Sequence, residues 1–283
     1  MLNNILAGWL VMTLGSVDIA IENSATAVSF VPENNLEVTE YLDKIDNRVT
    51  PVIVIDHLYI ENGRYVYKEP SLLKSALSES KHFSRIVFMF DEPMWRARNN
   101  GQNPEEVKHI MSAIKADFPN VEFAVIYAYA ELFDRYMENY GVLDLWYEAD
   151  HVGFDCYGKF NGCGGGHVPE IPQMTYLSML YADNTRNGGN AKMFLVPGAF
   201  LNGSSFSDEN LVIKQLYDYA QAANMNRKYV SGFGLFTMDD VTLSNGGTSP
   251  DQSRGAINYP GILDAGNHVI DMIVNPEQYL IVD

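Results

Sequence analysis

Short apolar runs rich in β-branched and aromatic residues recur along the chain. Between them lie segments whose apolar positions repeat at helical spacing. The runs are Ile5–Thr13, Thr26–Val31, Val52–Asp56, Ile86–Phe90, Val121–Tyr127, Asp150–Tyr157, Lys192–Pro197 and Val230–Thr237. Helical spacing marks Leu36–Ile45, Ser71–Ser80, Pro104–Phe118, Leu132–Trp146, Met174–Tyr181, Leu211–Ala223 and a closing segment near His268–Val274. The clearest helix is Pro104–Phe118, with Asn103 as N-cap, Pro104 at the first position and Glu105 and Glu106 in the first turn. Ser71 is a plausible cap for its own helix. The segment between the first two runs is short for a full helix. Near-continuous apolar strands alternating with helices predict a parallel sheet covered on both faces. About eight such units in 283 residues predict an α/β protein, a single closed (β/α)8 TIM barrel spanning 1–283, with no linker and no second domain.

Composition narrows the partners. The formal net charge is −17, which argues against binding phosphate backbones or anionic lipid, so neither nucleic acid nor membrane is an expected partner. No run reaches the roughly 18 apolar residues of a membrane span. The N-terminal apolar run resembles a signal sequence, but no Lys or Arg precedes it, and a first buried strand is the preferred reading. Cys156 and Cys163 would stay free in a reducing cytosol and could close one local loop in a secreted or periplasmic protein. With His167 and Asp155 nearby they match no standard zinc pattern, and no Gly-x-Gly-x-x-Gly follows the early strands. Neither metal nor cofactor is expected.

In a parallel barrel, chemistry gathers at the C-terminal ends of the strands. There the sequence places Asp56 and His57, Asp91 and Glu92, Tyr127, Tyr129 and Glu131, Asp155 and Tyr157, and Asp239 and Asp240. The centre of this set is Asp91-Glu92-Pro93-Met94-Trp95. Pro93 ends the strand ladder because it has no N–H. The two carboxylates can supply proton transfer, and the Trp95 indole a flat apolar face for a sugar ring. The structural alternative is that Asp91 caps the next segment and Glu92 pairs with Arg96 or Arg98. Because neighbouring strand residues point oppositely, both carboxylates reach one pocket only if the strand end twists or bulges.

Asp91-Glu92-Pro93 at the end of strand four resembles the Asn-Glu-Pro of glycoside-hydrolase barrels, in which the Glu is the acid/base. The likeness implies a poly- or oligosaccharide substrate and Glu92 as general acid. The chain departs from that pattern at strand seven, where Phe194–Phe200 holds no Glu nucleophile. It also resembles, in part, the chitinase- and hexosaminidase-type barrels, where the substrate's N-acetyl group is the nucleophile. That likeness implies Asp91 as the group orienting the acetamide and Tyr157 as the holder of its carbonyl, although Phe88-Met89-Phe90 stands where the chitinases carry further acids. Inversion is a third route, with Asp155 or Asp240 activating water. Carboxyl separations of about 5–5.5 Å and about 6.5–9.5 Å distinguish retention from inversion. Trp95, Tyr127, Tyr129, Asp56, His57 and Asp239 are the expected substrate contacts. The Gly-rich segment Gly158–Pro169 is expected to form a lid. The competing class is a non-catalytic carbohydrate-binding or structural protein on the same barrel.

Overall fold

The computed structural model describes residues 5–22, 24–80, 83–128, 145–155, 181–182, 185–201, 208–243 and 251–279. Eight parallel strands close into a barrel: β1 (Leu6–Val11), β2 (Ala27–Phe30), β3 (Thr50–Val54), β4 (Val87–Asp91), β5 (Glu122–Ala128), β6 (His151–Asp155), β7 (Lys192–Val196) and β8 (Val230–Leu235). The order around the barrel follows the chain, and β1 pairs with β8 to shut it, with Trp9 opposite Leu235. Each strand overlaps one apolar run of the sequence, with its ends shifted by no more than two residues; β3 begins two residues earlier than its run, and β4 and β5 each end one residue later.

Strand alternation sorts the side chains into two layers. Leu6, Val52, Val54, Val87, Met89, Ile126, Phe194 and Val196 belong to the barrel interior. Trp9, Phe30, Phe88, Phe90, Phe123 and Tyr127 belong to the layer beneath the helices. One bulky interior ring, Phe194, is accommodated by glycine on the neighbouring strand: a Cβ at Gly232 would lie 2.0 Å from Phe194 Cδ2.

The surrounding helices are α1 (Val17–Ile21), α2 (Asn35–Lys44), α3 (Asp56–Tyr59), α4 (Ser71–Glu79), α5 (Pro93–Asn99), α6 (Pro104–Asp117), α7 (Glu209–Met225) and α8 (Pro260–Val274). Asn103 caps α6 as expected, its side chain accepting from Glu105 N at 3.0 Å. Asn34 likewise accepts from Leu36 N and Glu37 N in α2. Ser71 does not cap α4: Pro70 holds the cap position, and the Ser71 hydroxyl donates to Glu69. α1 is the short element foreseen, a five-residue helix after a 3-10 turn at Leu14–Ser16. The expected helices Leu132–Trp146 and Met174–Tyr181 fall almost wholly outside the described residues.

Three elements depart from the sequence reading. Pro93 does more than end a strand: it opens α5, since its fixed φ suits the first helical turn. A hairpin, Ile60–Glu61 with Arg64–Tyr65, turns at Asn62 (φ 50°) and Gly63 (φ 78°). A small antiparallel sheet of Phe200–Leu201, Asp251–Gly255 and Val241–Leu243 follows the ends of β7 and β8. At the seam between the first and last strands, Asp239 accepts from Met12 N (2.6 Å), Thr13 N (3.2 Å) and Ser16 Oγ. Trp9 Nε1 donates to Asn267 Oδ1 of α8 at 3.0 Å. Among the described residues no helix is long and apolar enough to cross a membrane.

Candidate active site

β4 delivers the central dipeptide. Val87 and Met89 face the interior and Phe88 and Phe90 the helices, so alternation carries Asp91 to the inner side of the rim. The ladder continues one residue further, with Glu92 N donating to Ile126 O at 2.7 Å. Glu92 then adopts φ 51°, ψ 44°, the left-handed region. Alternation breaks there, and the chain enters α5 without a connecting loop. A non-glycine residue held in this region costs on the order of 1 kcal/mol or more and recurs at functional sites.

Around this turn the carboxylates are organised by one cation and one buried acid. Arg96, one turn into α5, places Nη2 2.6 Å from Asp91 Oδ2, and its Nε donates to Asp91 O at 2.7 Å. Asp91 Oδ1 accepts no hydrogen bond among the described residues. Asp56, at the first turn after β3, is fully buried. Its Oδ2 accepts from Asp91 N at 2.8 Å, and its Oδ1 accepts from Tyr65 Oη. Tyr65 is fixed in turn by Gln102, which accepts from Tyr65 N at 2.7 Å and donates to Tyr65 O at 2.8 Å.

The electrostatics follow from burial. Glu92 is pushed up from 4.5 to about 7, first by desolvation and then by the Asp91 charge, with Arg96 opposing and Asp56 adding to the rise. Asp56 rises from 3.8 to about 6, chiefly by desolvation; Arg96 opposes this, and Asp91 assists. Desolvation works against the Arg96 cation, but Asp91 and Asp56 outweigh it and its pKa rises. The His57 pKa is lowered by desolvation and by Arg96. A carboxyl that stays protonated near neutral pH, beside a partner bound to a guanidinium, can donate a proton to a leaving oxygen.

The other expected site residues are distributed as follows. Trp95 is half-buried on α5 and His57 is exposed on α3. Asp155 ends β6, opposite Val196 of β7, on the same rim as Asp91. Asp240 is exposed, and its Oδ1 accepts from Gly255 N (2.9 Å) and Asn258 Nδ2 (2.6 Å). Tyr129, Glu131, Tyr157, the segment Gly158–Pro169 and both cysteines lie outside the described residues.

Three expected substrate contacts are corrected. Asp56 is 0% exposed, so it offers no atom to a sugar. Tyr127 stands on the helix-facing side of β5, where its hydroxyl accepts from Trp146 N at 2.8 Å. Asp239 is buried and committed to the seam between β1 and β8.

Sequence reasoning missed Tyr65 and Gln102. The signal for Tyr65 was present: Asn62-Gly63 is a strong two-residue hairpin turn, and it returns the chain so that Tyr65 reaches Asp56. For Gln102, one residue before an N-cap, no local pattern marks a buried role.

A second polar cluster occupies the opposite, N-terminal end of the barrel. Glu122 accepts from Arg85 Nε (2.7 Å) and Nη2 (2.6 Å), and His151 bridges Glu122 and Ser231 at 2.7 Å each. Desolvation raises the Glu122 pKa, but the bonds from His151 and Arg85 outweigh it and hold the carboxyl down at about 2. These groups line a cavity of about 290 Å³ with Ile5, Asp150, Asn190 and Lys192. Mutual pairing at that end of a barrel reads as stability.

No family model matches the sequence, and no curated protein sequence matches it. Solved structures do match in fold. Xylanase 10B of Thermotoga petrophila RKU-1, solved with xylobiose, aligns over 96% of this chain and 95% of its own, with 12% identity and a TM-score of 0.54. Active domain 2 of the chitinase of Pyrococcus furiosus aligns over 99% of both chains, with 10% identity and a TM-score of 0.54. The GH53 catalytic domain of Ignisphaera aggregans aligns over 94% of this chain and 91% of its own, with 12% identity and a TM-score of 0.51. The fold is thus a (β/α)8 TIM barrel similar to the barrels of these proteins. Identities this low speak for the fold alone.

Proposed function

We propose that the protein is a glycoside hydrolase acting on a poly- or oligosaccharide, with Glu92 as general acid. The observation that carries this reading is a half-buried carboxyl, raised to about 7, on a left-handed turn at the C-terminal lip of barrel strand β4. Asp91 is its partner. Arg96 holds one Asp91 oxygen, and the other is the one available to orient substrate. Asp155, at the rim end of β6, is the best second carboxylate, because Asp240 is exposed and already accepts from Gly255 N and Asn258 Nδ2. Trp95 serves as a sugar platform. Tyr157 as an acetamide holder belongs to the substrate-assisted variant of this reading, in which Asp91 would turn toward the acetamide against its bond to Arg96.

A non-catalytic sugar-binding protein is the second reading. It is favoured by the end of β7, where Val196-Pro197-Gly198-Ala199-Phe200 supplies no carboxylate. Assay of a polysaccharide panel with wild type and Glu92→Gln separates the two. We expect wild type to cleave at least one substrate and Glu92→Gln to lose at least a hundredfold in kcat, the usual scale of general acid catalysis being about 10²–10⁴. Binding of the panel without cleavage by wild type would favour the second reading. Full activity of Glu92→Gln would remove Glu92 from the role.

A further inference from the structure

We propose that Asp56 is a positioning residue for the candidate acid: its carboxylate holds the backbone N–H of Asp91 from behind and adds to the negative charge that Glu92 faces. The functional meaning of this rests on the reading of Glu92 as proton donor; its test does not.

The geometry leaves Asp56 no other task. It has no exposed atom. Its two oxygens are spent on Asp91 N and Tyr65 Oη. Asp91 N and Glu92 N are the two peptide donors that lead into the left-handed turn, held by Asp56 and by Ile126 O respectively, so together they fix where the turn begins. The support runs deeper, since Tyr65 is 1% exposed and Gln102 3% exposed, and the Gln102 side chain clamps both peptide groups of Tyr65. Gln102 immediately precedes the Asn103-capped start of α6. The rim turn is thereby tied to the two most regular elements beside it, β3 and α6, in the way a functional group is best held.

Both partners of Asp56 are donors, Asp91 N and Tyr65 Oη, and a carboxylate accepts from each. An asparagine would still accept from Asp91 N but could meet Tyr65 only by donating, leaving the buried Tyr65 hydroxyl proton without this acceptor. Asparagine also supplies no negative charge, which is expensive to bury. That charge acts first on Arg96 and Asp91, and adds the smallest of the charge contributions that raise or lower Glu92. Among the described residues, Glu92 is faced by Asp91 and Arg96 from its own segment and by Asp56 from α3. Asp56 itself faces Arg96, Asp91 and the Tyr65 hydroxyl of the hairpin. His57, the next residue, faces Arg96, Asp91 and Glu33. Arg96 stabilises the ionised form of Glu92, and Asp56 counteracts it, keeping the acid protonated toward neutral pH.

The test is a carboxyl ¹³C NMR titration of Glu92, assigned by its loss in Glu92→Gln, in wild type and Asp56→Asn. In folded Asp56→Asn we expect the Glu92 midpoint to fall, by less than removal of the adjacent Asp91 charge would lower it. On any substrate that wild type cleaves, the basic limb of the kcat profile should fall with it, while kcat on the acid side is retained. Wild type supplies a second measurement that needs no variant. The amide proton of Asp91 should shift as Asp56 ionises between about pH 4 and about pH 8. An unmoved Glu92 midpoint in folded Asp56→Asn overturns the proposal, and so does a pH-independent Asp91 amide in wild type. If no substrate is ever cleaved but both titrations behave as stated, the positioning stands and the hydrolase reading alone falls.

Discussion

Replacing Glu92 by Gln should make the protein more stable above neutral pH and leave it nearly unchanged in acid. Gln keeps the shape and the left-handed backbone, so only the ionisation is removed. A carboxyl whose pKa is higher folded than unfolded binds more protons in the native state. Its contribution to stability therefore falls as pH rises between the two values. For Glu92 these are about 7 in the fold and 4.5 as the ordinary value. At about 1.4 kcal/mol per pH unit, the penalty for ionising it in place is about 3 kcal/mol, complete above about pH 7 and absent below about pH 4.5. Asp56, itself raised to about 6, titrates in wild type and variant alike and cancels to first order in their difference. Urea unfolding of both proteins across that pH range measures the difference as a shift in midpoint at constant m. The variant should gain about 3 kcal/mol on wild type between the acid and alkaline ends. Parallel stability curves would show that Glu92 ionises as freely in the fold as in the unfolded chain, and the reasoning that makes it a proton donor near neutral pH would fail with them.

Two further outcomes bear on the frame and the rim. Gly232→Ala should destabilise by about 1–3 kcal/mol through overpacking against Phe194, and pairing it with Phe194→Leu should recover part of that loss in a double-mutant cycle; simple additivity would mean the ring does not dictate the glycine. Of the three tryptophans, Trp9 and Trp146 are 0% and 2% exposed while Trp95 is half-buried, so an oligosaccharide that binds should shift intrinsic fluorescence in wild type and not in Trp95→Phe, and an equal shift in the variant would remove Trp95 from the sugar face.

Much of the barrel was legible because its strands are buried on both faces, which leaves apolar runs too short for helices and too uniform for surface strands. Asn103 and Pro104 fixed one helix start for the same local reason in sequence and structure. The candidate site was half legible. Asp91 and Glu92 could be placed at a rim because Pro93 must end the ladder, and the need for a broken alternation followed from the two-residue period. What the chain does with Asp56, Tyr127 and Asp239 was not readable. Each sits at a strand end by position, yet one turns behind the rim, one faces outward by parity, and one bonds a segment more than two hundred residues away. Strand-end position is a one-dimensional property, while exposure at the rim depends on register and on which remote donors arrive.

The seam at Asp239 has a consequence for how the protein is made. β1 leaves the ribosome before every other strand of the barrel, but its second neighbour, β8, ends at Leu235, and the helix residue that takes the Trp9 indole proton is Asn267. Until β8 and α8 have emerged, one edge of β1 has no strand to pair with and the Trp9 indole lacks its partner Asn267. Contacts of such sequence separation form slowly, and an unpaired strand edge is a template for other chains. Synthesis is therefore the stage at which this barrel is most exposed to aggregation, and a truncation before β8 removes the closure itself rather than a peripheral element.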